Sequence, residues 1–145
     1  PMKFKLCITF TLLFMFYACS DPKSFSEKDL IYEQVYTELK NTGMKIEDRD
    51  TVYYIESSAC LSCEEKFWSY YKTSKRPLKV IRQTDNSRTT ISQVIPDIIN
   101  MNHNVFLHHS DKISRLFDAL GRDRTGVFII IMGKNNVKSV NLFMD

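Results

Sequence analysis

Glycine and proline are scarce, four of each in 145 residues, and tryptophan occurs once. So few glycines leave no Gly-rich phosphate loop, and neither a G-x-S-x-G elbow nor a His-Glu-x-x-His pair occurs. Phosphate-loop, serine-hydrolase and zinc-protease chemistries therefore lose their motifs. Internal repeats and low-complexity tracts are absent too. An excess of one charge is also missing. Setting aside Lys3 and Lys5, which precede an apolar N-terminal run, 18 Lys and Arg face 17 Asp and Glu. A nearly neutral domain has no basic footprint for a phosphate backbone, which excludes nucleic acid as a partner. The uncharged apolar run Leu6–Tyr17 is about a dozen residues, too short to span a bilayer as a mature helix.

That run has another use. Lys3 and Lys5 precede it, small Ala18 stands directly before Cys19, and polar Ser20 and Asp21 follow. The order resembles a bacterial lipoprotein signal, with bulky Phe16 and Tyr17 departing from the usual pattern. The resemblance implies a signal peptide over 1–18, lipidation at Cys19 and a tether over 19–25. It further implies a mature protein anchored in a bacterial membrane, facing the periplasm or cell exterior. An ordinary cleaved secretory peptide and, behind it, an uncleaved membrane anchor are the alternatives. What remains, residues 26–145, is one domain by size.

Within that domain, "SFSEKDLIYEQVYTELKNTG" predicts a helix over 26–42. Ser26 is its cap, Asp29 stands at the third helical position, and Ile31, Val35 and Leu39 form one stripe. Phe25 is placed to staple to Leu30, and Gly43 suits the exit. A core then runs over 51–145. Thr51–Glu56 is a β-branched and aromatic strand, and Leu61 to Lys72 a helix with Glu64, Phe67, Trp68 and Tyr71 on one stripe. Leu78–Arg82 is a second strand. "TTISQVIPDIIN" reads as a helix interrupted at Pro96. Asn104–His108 is a short strand, and "SDKISRLFDALG" a helix capped by Ser110 and stopped at Gly121. Strands at Thr125–Met132 and Val137–Phe143 close a hairpin around "GKNN". Strands alternating with helices predict an α/β fold with a sheet between helix layers.

The chemistry is concentrated in "ACLSC". With Cys7 in the leader and Cys19 lipidated, the mature domain holds only Cys60 and Cys63. As a staple this pair is poorly placed, because a four-residue loop stabilises by only about 2 kcal/mol against about 3 for fifteen residues. Placed after a strand and opening a helix, Cys60 faces unpaired backbone N–H groups and the positive end of the dipole, which stabilise a thiolate. Cys63 follows one turn later on the same face, where it can resolve a mixed disulfide.

Strand, Cys-x-x-Cys, helix, further βα units and a final hairpin resemble the thioredoxin fold. With the lipoprotein-like leader, the chain resembles the membrane-tethered thioredoxin-like thiol–disulfide oxidoreductases. The likeness covers Thr51–Asp145 and rests on one sharp motif, "CLSC". It implies a three-layer α/β/α sandwich with an added N-terminal helix. Cys60 would be the nucleophile and Cys63 the resolving thiol of a redox-active centre, on a protein thiol or disulfide substrate. The dithiol would be the electron carrier, so no cofactor and no metal are required, and the protein would be a monomer. Thr125 or Gly126 stands where the family places a cis-proline that docks substrate. Trp68 joins these two as a candidate substrate contact, although its stripe position also suits a core aromatic. Two further departures are "ESSAC", with no aromatic directly before Cys60, and the missing closing helix. The N-terminal helix is expected to cover the sheet face this helix would occupy.

Two other readings stay open. Cys60 and Cys63 have zinc-knuckle spacing, and His103, His108 and His109 supply nitrogen for zinc or, with soft thiolates, copper. The bland reading of these histidines is solvated loop and strand-end residues. A thioredoxin-like domain without catalysis would instead be a binding scaffold. Finally, Glu64 and Glu65 directly follow Cys63, and Glu56 lies close in sequence. Like charges disfavour a thiolate, so these residues predict a reductant or weakly poised exchanger. Lys72, Lys75, Arg76 and Lys79 read as a solvated basic cluster.

Overall fold

The computed structural model describes residues 26–84, 104–122 and 125–143. The leader, the tether, the lipidated Cys19, the staple residue Phe25, the interrupted helix around Pro96 and His103 lie outside them. The order is α1 (Glu27–Asn41), β1 (Thr51–Ile55), α2 (Leu61–Thr73), β2 (Lys79–Gln83), β3 (Val105–His108), α3 (Lys112–Ala119), β4 (Val127–Met132) and β5 (Val137–Leu142). The protein is α/β, with one five-stranded sheet in the order β3-β2-β1-β4-β5. β1, β2 and β3 are parallel, while β4 runs antiparallel to β1 and to β5.

Alternation along the strands divides the core between two faces. Val52, Tyr54, Ile81, Phe128, Ile130 and Met132 pack under α1 and α3, through Val35, Leu39, Ile113 and Phe117. Tyr53, Ile55, Val80, Val105 and Val127 pack under α2, through Phe67 and Trp68. Helices thus cover both faces of the sheet.

α1 begins as its sequence predicts. Ser26 Oγ accepts the Asp29 N–H at 3.2 Å, and Asp29 Oδ2 accepts the Ser26 N–H at 3.1 Å, a capping box. It ends where Gly43 takes φ +80°, left-handed backbone that a side chain would strain. Two expectations are corrected. α1 packs with α3, on the face opposite α2, so Ile129 and Ile131 on the α2 side stay half-buried. α3 is capped by Asp111, which makes no side-chain cap bond; Ser110 Oγ accepts the Lys112 N–H at 3.2 Å instead.

Charged residues tie the ends of the sheet. Lys79, expected in a solvated cluster, bridges Asp50 at 2.5 Å and donates to Lys45 O at 2.8 Å. His108 also departs from a solvated strand end. Its Nε2 is enclosed and has no partner among the described residues. Burial pulls its pKa below 6.5, nearby Glu38 pulls it back up, and His109 and Lys112 push it down. A histidine held neutral by the fold takes up its proton more readily in the unfolded chain. Its stability contribution is therefore full above the unfolded value and is lost as pH falls. Thermal melts from about pH 7 to about pH 5 should show a declining midpoint, and His108→Phe should flatten that decline. Equal slopes in both proteins would show that His108 is not the titrating group.

Candidate functional site

The Cys60–Cys63 site is built at the end of β1, where the sheet hands the chain to α2. Here three of the five approach N–H groups, at residues 56–60, are held. Glu56 N–H reaches Gly126 O at 3.2 Å, Ser57 N–H reaches Gln83 Oε1 at 3.3 Å, and Ala59 N–H closes a turn on Glu56 O at 3.1 Å. Gln83 Oε1 also accepts from Ser114 Oγ at 2.8 Å and Tyr54 Oη at 3.2 Å. One buried amide oxygen thus links β1, α3 and the loop that presents the cysteines.

Cys60 is the N-cap of α2 in extended backbone, at φ −64° and ψ 140°. Its Sγ accepts the Cys63 N–H at 3.1 Å and lies 3.3 Å from Ser62 Oγ. Cys60 is exposed and Cys63 half-buried, and the two are joined as a disulfide with Cα atoms 5.2 Å apart. The pair sets one exposed cysteine and one half-buried cysteine at the first turn of a helix.

The next residue decides the electrostatics. Glu64 lies on the α2 stripe with Phe67 and Trp68 and is buried. Arg82 of β2 meets it with Nε–Oε1 at 2.8 Å and Nη2–Oε2 at 3.2 Å, and Trp68 Nε1 donates to the same carboxylate at 3.1 Å. Arg82 Nη1 donates to Gln83 O at 3.1 Å. The acidity expected around the cysteines is corrected here, because the Glu64 carboxylate is opposed by a guanidinium and faces the sheet. Sequence reading did not single out Arg82. A charged residue inside "KVIRQ", flanked by buried Val80, Ile81 and Gln83, was the available signal.

Glu56 is buried as well, at 4% exposure. Its Oε2 accepts the Gly126 N–H at 3.1 Å. Burial pushes its carboxyl upward, while the Gly126 N–H and the Ser114 hydroxyl hold it down. Gly126, one of the expected docking residues, is thereby fastened to the strand that carries the cysteines. A Cβ there would meet Leu142 Cδ1 at 3.1 Å, which favours a residue without one. Thr125 beside it is exposed. Trp68 is placed differently, 3% exposed with its indole N–H used by Glu64, so it lies beneath the site with no surface for substrate.

His108 and His109 do not join the cysteines in a ligand cluster. Among the described residues no three His, Cys, Asp or Glu side chains are grouped to hold a metal ion. His109 Nδ1 lies 2.7 Å from Thr84 Oγ1. A groove of about 550 Å³ runs between α1 and α3, with Leu30, Glu33, Lys112 and Arg115 on its walls, on the face opposite α2. No helix among the described residues is long and apolar enough to cross a membrane.

No protein-family model matches the chain, and neither a curated protein nor a solved structure matches it.

The buried ion pair can be tested directly. Arg82→Met leaves Glu64 buried without its counter-charge and should destabilise by about 3–5 kcal/mol in denaturant melts. The double variant Glu64→Leu/Arg82→Met should recover most of that loss. A double variant no better than Arg82→Met would contradict this coupling.

Proposed function

We propose that this protein is a thioredoxin-like thiol–disulfide exchange protein acting through Cys60 and Cys63. The observation that carries the reading is the exposed Cys60 at the cap of α2, joined as a disulfide to a half-buried Cys63 one turn later. The topology supports the family likeness: a strand, the Cys-x-x-Cys helix and a parallel neighbour strand, with an antiparallel hairpin on the other side. The reading extends to the leader: the protein is anchored through a lipid on Cys19 and acts as a monomer outside the bacterial cytoplasm, on the periplasmic or outer side.

In the reduced protein the Cys60 thiolate attacks one sulfur of a substrate disulfide, and the other substrate sulfur leaves as a thiolate and takes a proton. The resulting mixed disulfide joins Cys60 to substrate. Cys63, as a thiolate, then attacks Cys60 Sγ and displaces the second substrate sulfur. Two electrons pass to the substrate, and the Cys60–Cys63 disulfide is formed. Every step is reversible, so the same residues serve either direction. A helix N-terminus stabilises the thiolate that attacks. Thr125, exposed beside the anchored Gly126, is the surface against which a substrate chain would lie.

Substituting the resolving thiol should trap the intermediate. Cys63→Ser should accumulate protein adducts that dithiothreitol dissolves, whereas Cys60→Ser should accumulate none. Absence of adducts from Cys63→Ser, or equal adducts from both variants, would count against the exchange mechanism.

A further inference from the structure

Two donors converge on one sulfur. The Cys63 N–H meets Cys60 Sγ at 3.1 Å, and Ser62 Oγ stands 3.3 Å away. In the disulfide that sulfur carries no proton, so the serine hydroxyl is the donor. When the disulfide opens, the same two donors face a thiolate, and hydrogen bonds to a charged acceptor are the stronger kind. They favour the ionised form and lower its pKa.

Of the three glutamates that flank the cysteines in sequence, two are drawn away from them. Glu64 is buried against Arg82 and Trp68. Glu56 is buried and turned to Gly126. Glu65 is exposed to solvent, which screens it. A dithiol whose thiolate is stabilised holds its electrons more firmly, and its disulfide is the better oxidant.

We infer that Ser62 is a positioning residue that stabilises the Cys60 thiolate and so poises the pair as a disulfide donor to dithiol proteins. This rests on the exchange reading above and gives it a direction. A substrate thiolate attacks Sγ of the exposed residue Cys60, the Cys60–Cys63 bond breaks, and Cys63 leaves and takes a proton. The second substrate thiolate then attacks the substrate's own sulfur in the mixed disulfide, and Cys60 leaves as the thiolate that Ser62 receives. The substrate loses two electrons, and the protein's own disulfide is the oxidant that accepts them. A better stabilised leaving thiolate departs faster.

The test compares wild type, Ser62→Ala and Ser62→Thr. Two readouts apply: the pH profile of Cys60 alkylation in the reduced proteins, and the equilibrium of each with a glutathione series. Ser62→Ala should raise the alkylation midpoint by about one unit. It should also move the equilibrium about tenfold toward the disulfide, about 30 mV more reducing. Ser62→Thr, which keeps the hydroxyl, should track wild type in both readouts. Coincidence of Ser62→Ala with wild type overturns the inference while leaving the exchange reading intact. So does a Ser62→Thr that behaves as the alanine variant. If none of the three proteins equilibrates with glutathione, the inference and the exchange reading fall together.

Discussion

The Glu64–Arg82 ion pair fixes where the cysteines stand. Helix α2 has only its first turn to offer a substrate, and that turn needs a firm seat on the sheet. An apolar residue at position 64 would supply contact without direction. The bidentate pair, with Trp68 as third donor, sets both the rotation of α2 and its height over β2. Such a pair is weak as a source of net stability but costly to break on one side. It ties α2 to β2 at one defined point, and it sets a counter-charge against the carboxylate that follows Cys63.

The other side of the site depends on hydrogen bonds rather than on an ion pair. Gln83 gathers Tyr54, Ser57 and Ser114, and Glu56 gathers Gly126. These bonds satisfy backbone N–H groups that would otherwise be lost where β1 ends, and a buried unmet donor costs about 1–3 kcal/mol. The approach loop is thus tied to β2 and to the residue before β4 by named hydrogen bonds, even though it is a loop. α1 and α3 on the remote face supply the apolar weight through Val35, Leu39, Ile113 and Phe117. The reactive end is left polar and the distant core apolar.

Much of this was legible in the chain. The capping box at Ser26 and Asp29 is local, as are the β-branched run at 51–55 and the stripe on α2, and local patterns survive folding. The α/β order and Cys60 at the cap of α2 followed from them. What was not legible involves pairs far apart in sequence. Glu64 with Arg82 and Lys79 with Asp50 are long-range ion pairs, and a sequence shows each charge without its partner. Reading Glu64 as a free charge beside the cysteines gave the wrong electrostatics. Trp68 lay between two uses, core and contact, until its N–H was seen on Glu64. The face chosen by α1 was also hidden, because an amphipathic stripe says that a helix packs but not against what.

The central claim is that Cys60 and Cys63 form a working redox couple and not an inert staple or a metal clip. Thiol trapping of the full chain across a glutathione series, with bound metal measured alongside, tests it most directly. The account predicts a reversible two-electron couple between about −120 and about −270 mV, the span of known exchange catalysts, with no bound metal. A pair that stays oxidised throughout the series, or stays reduced while holding stoichiometric zinc or copper, would contradict it.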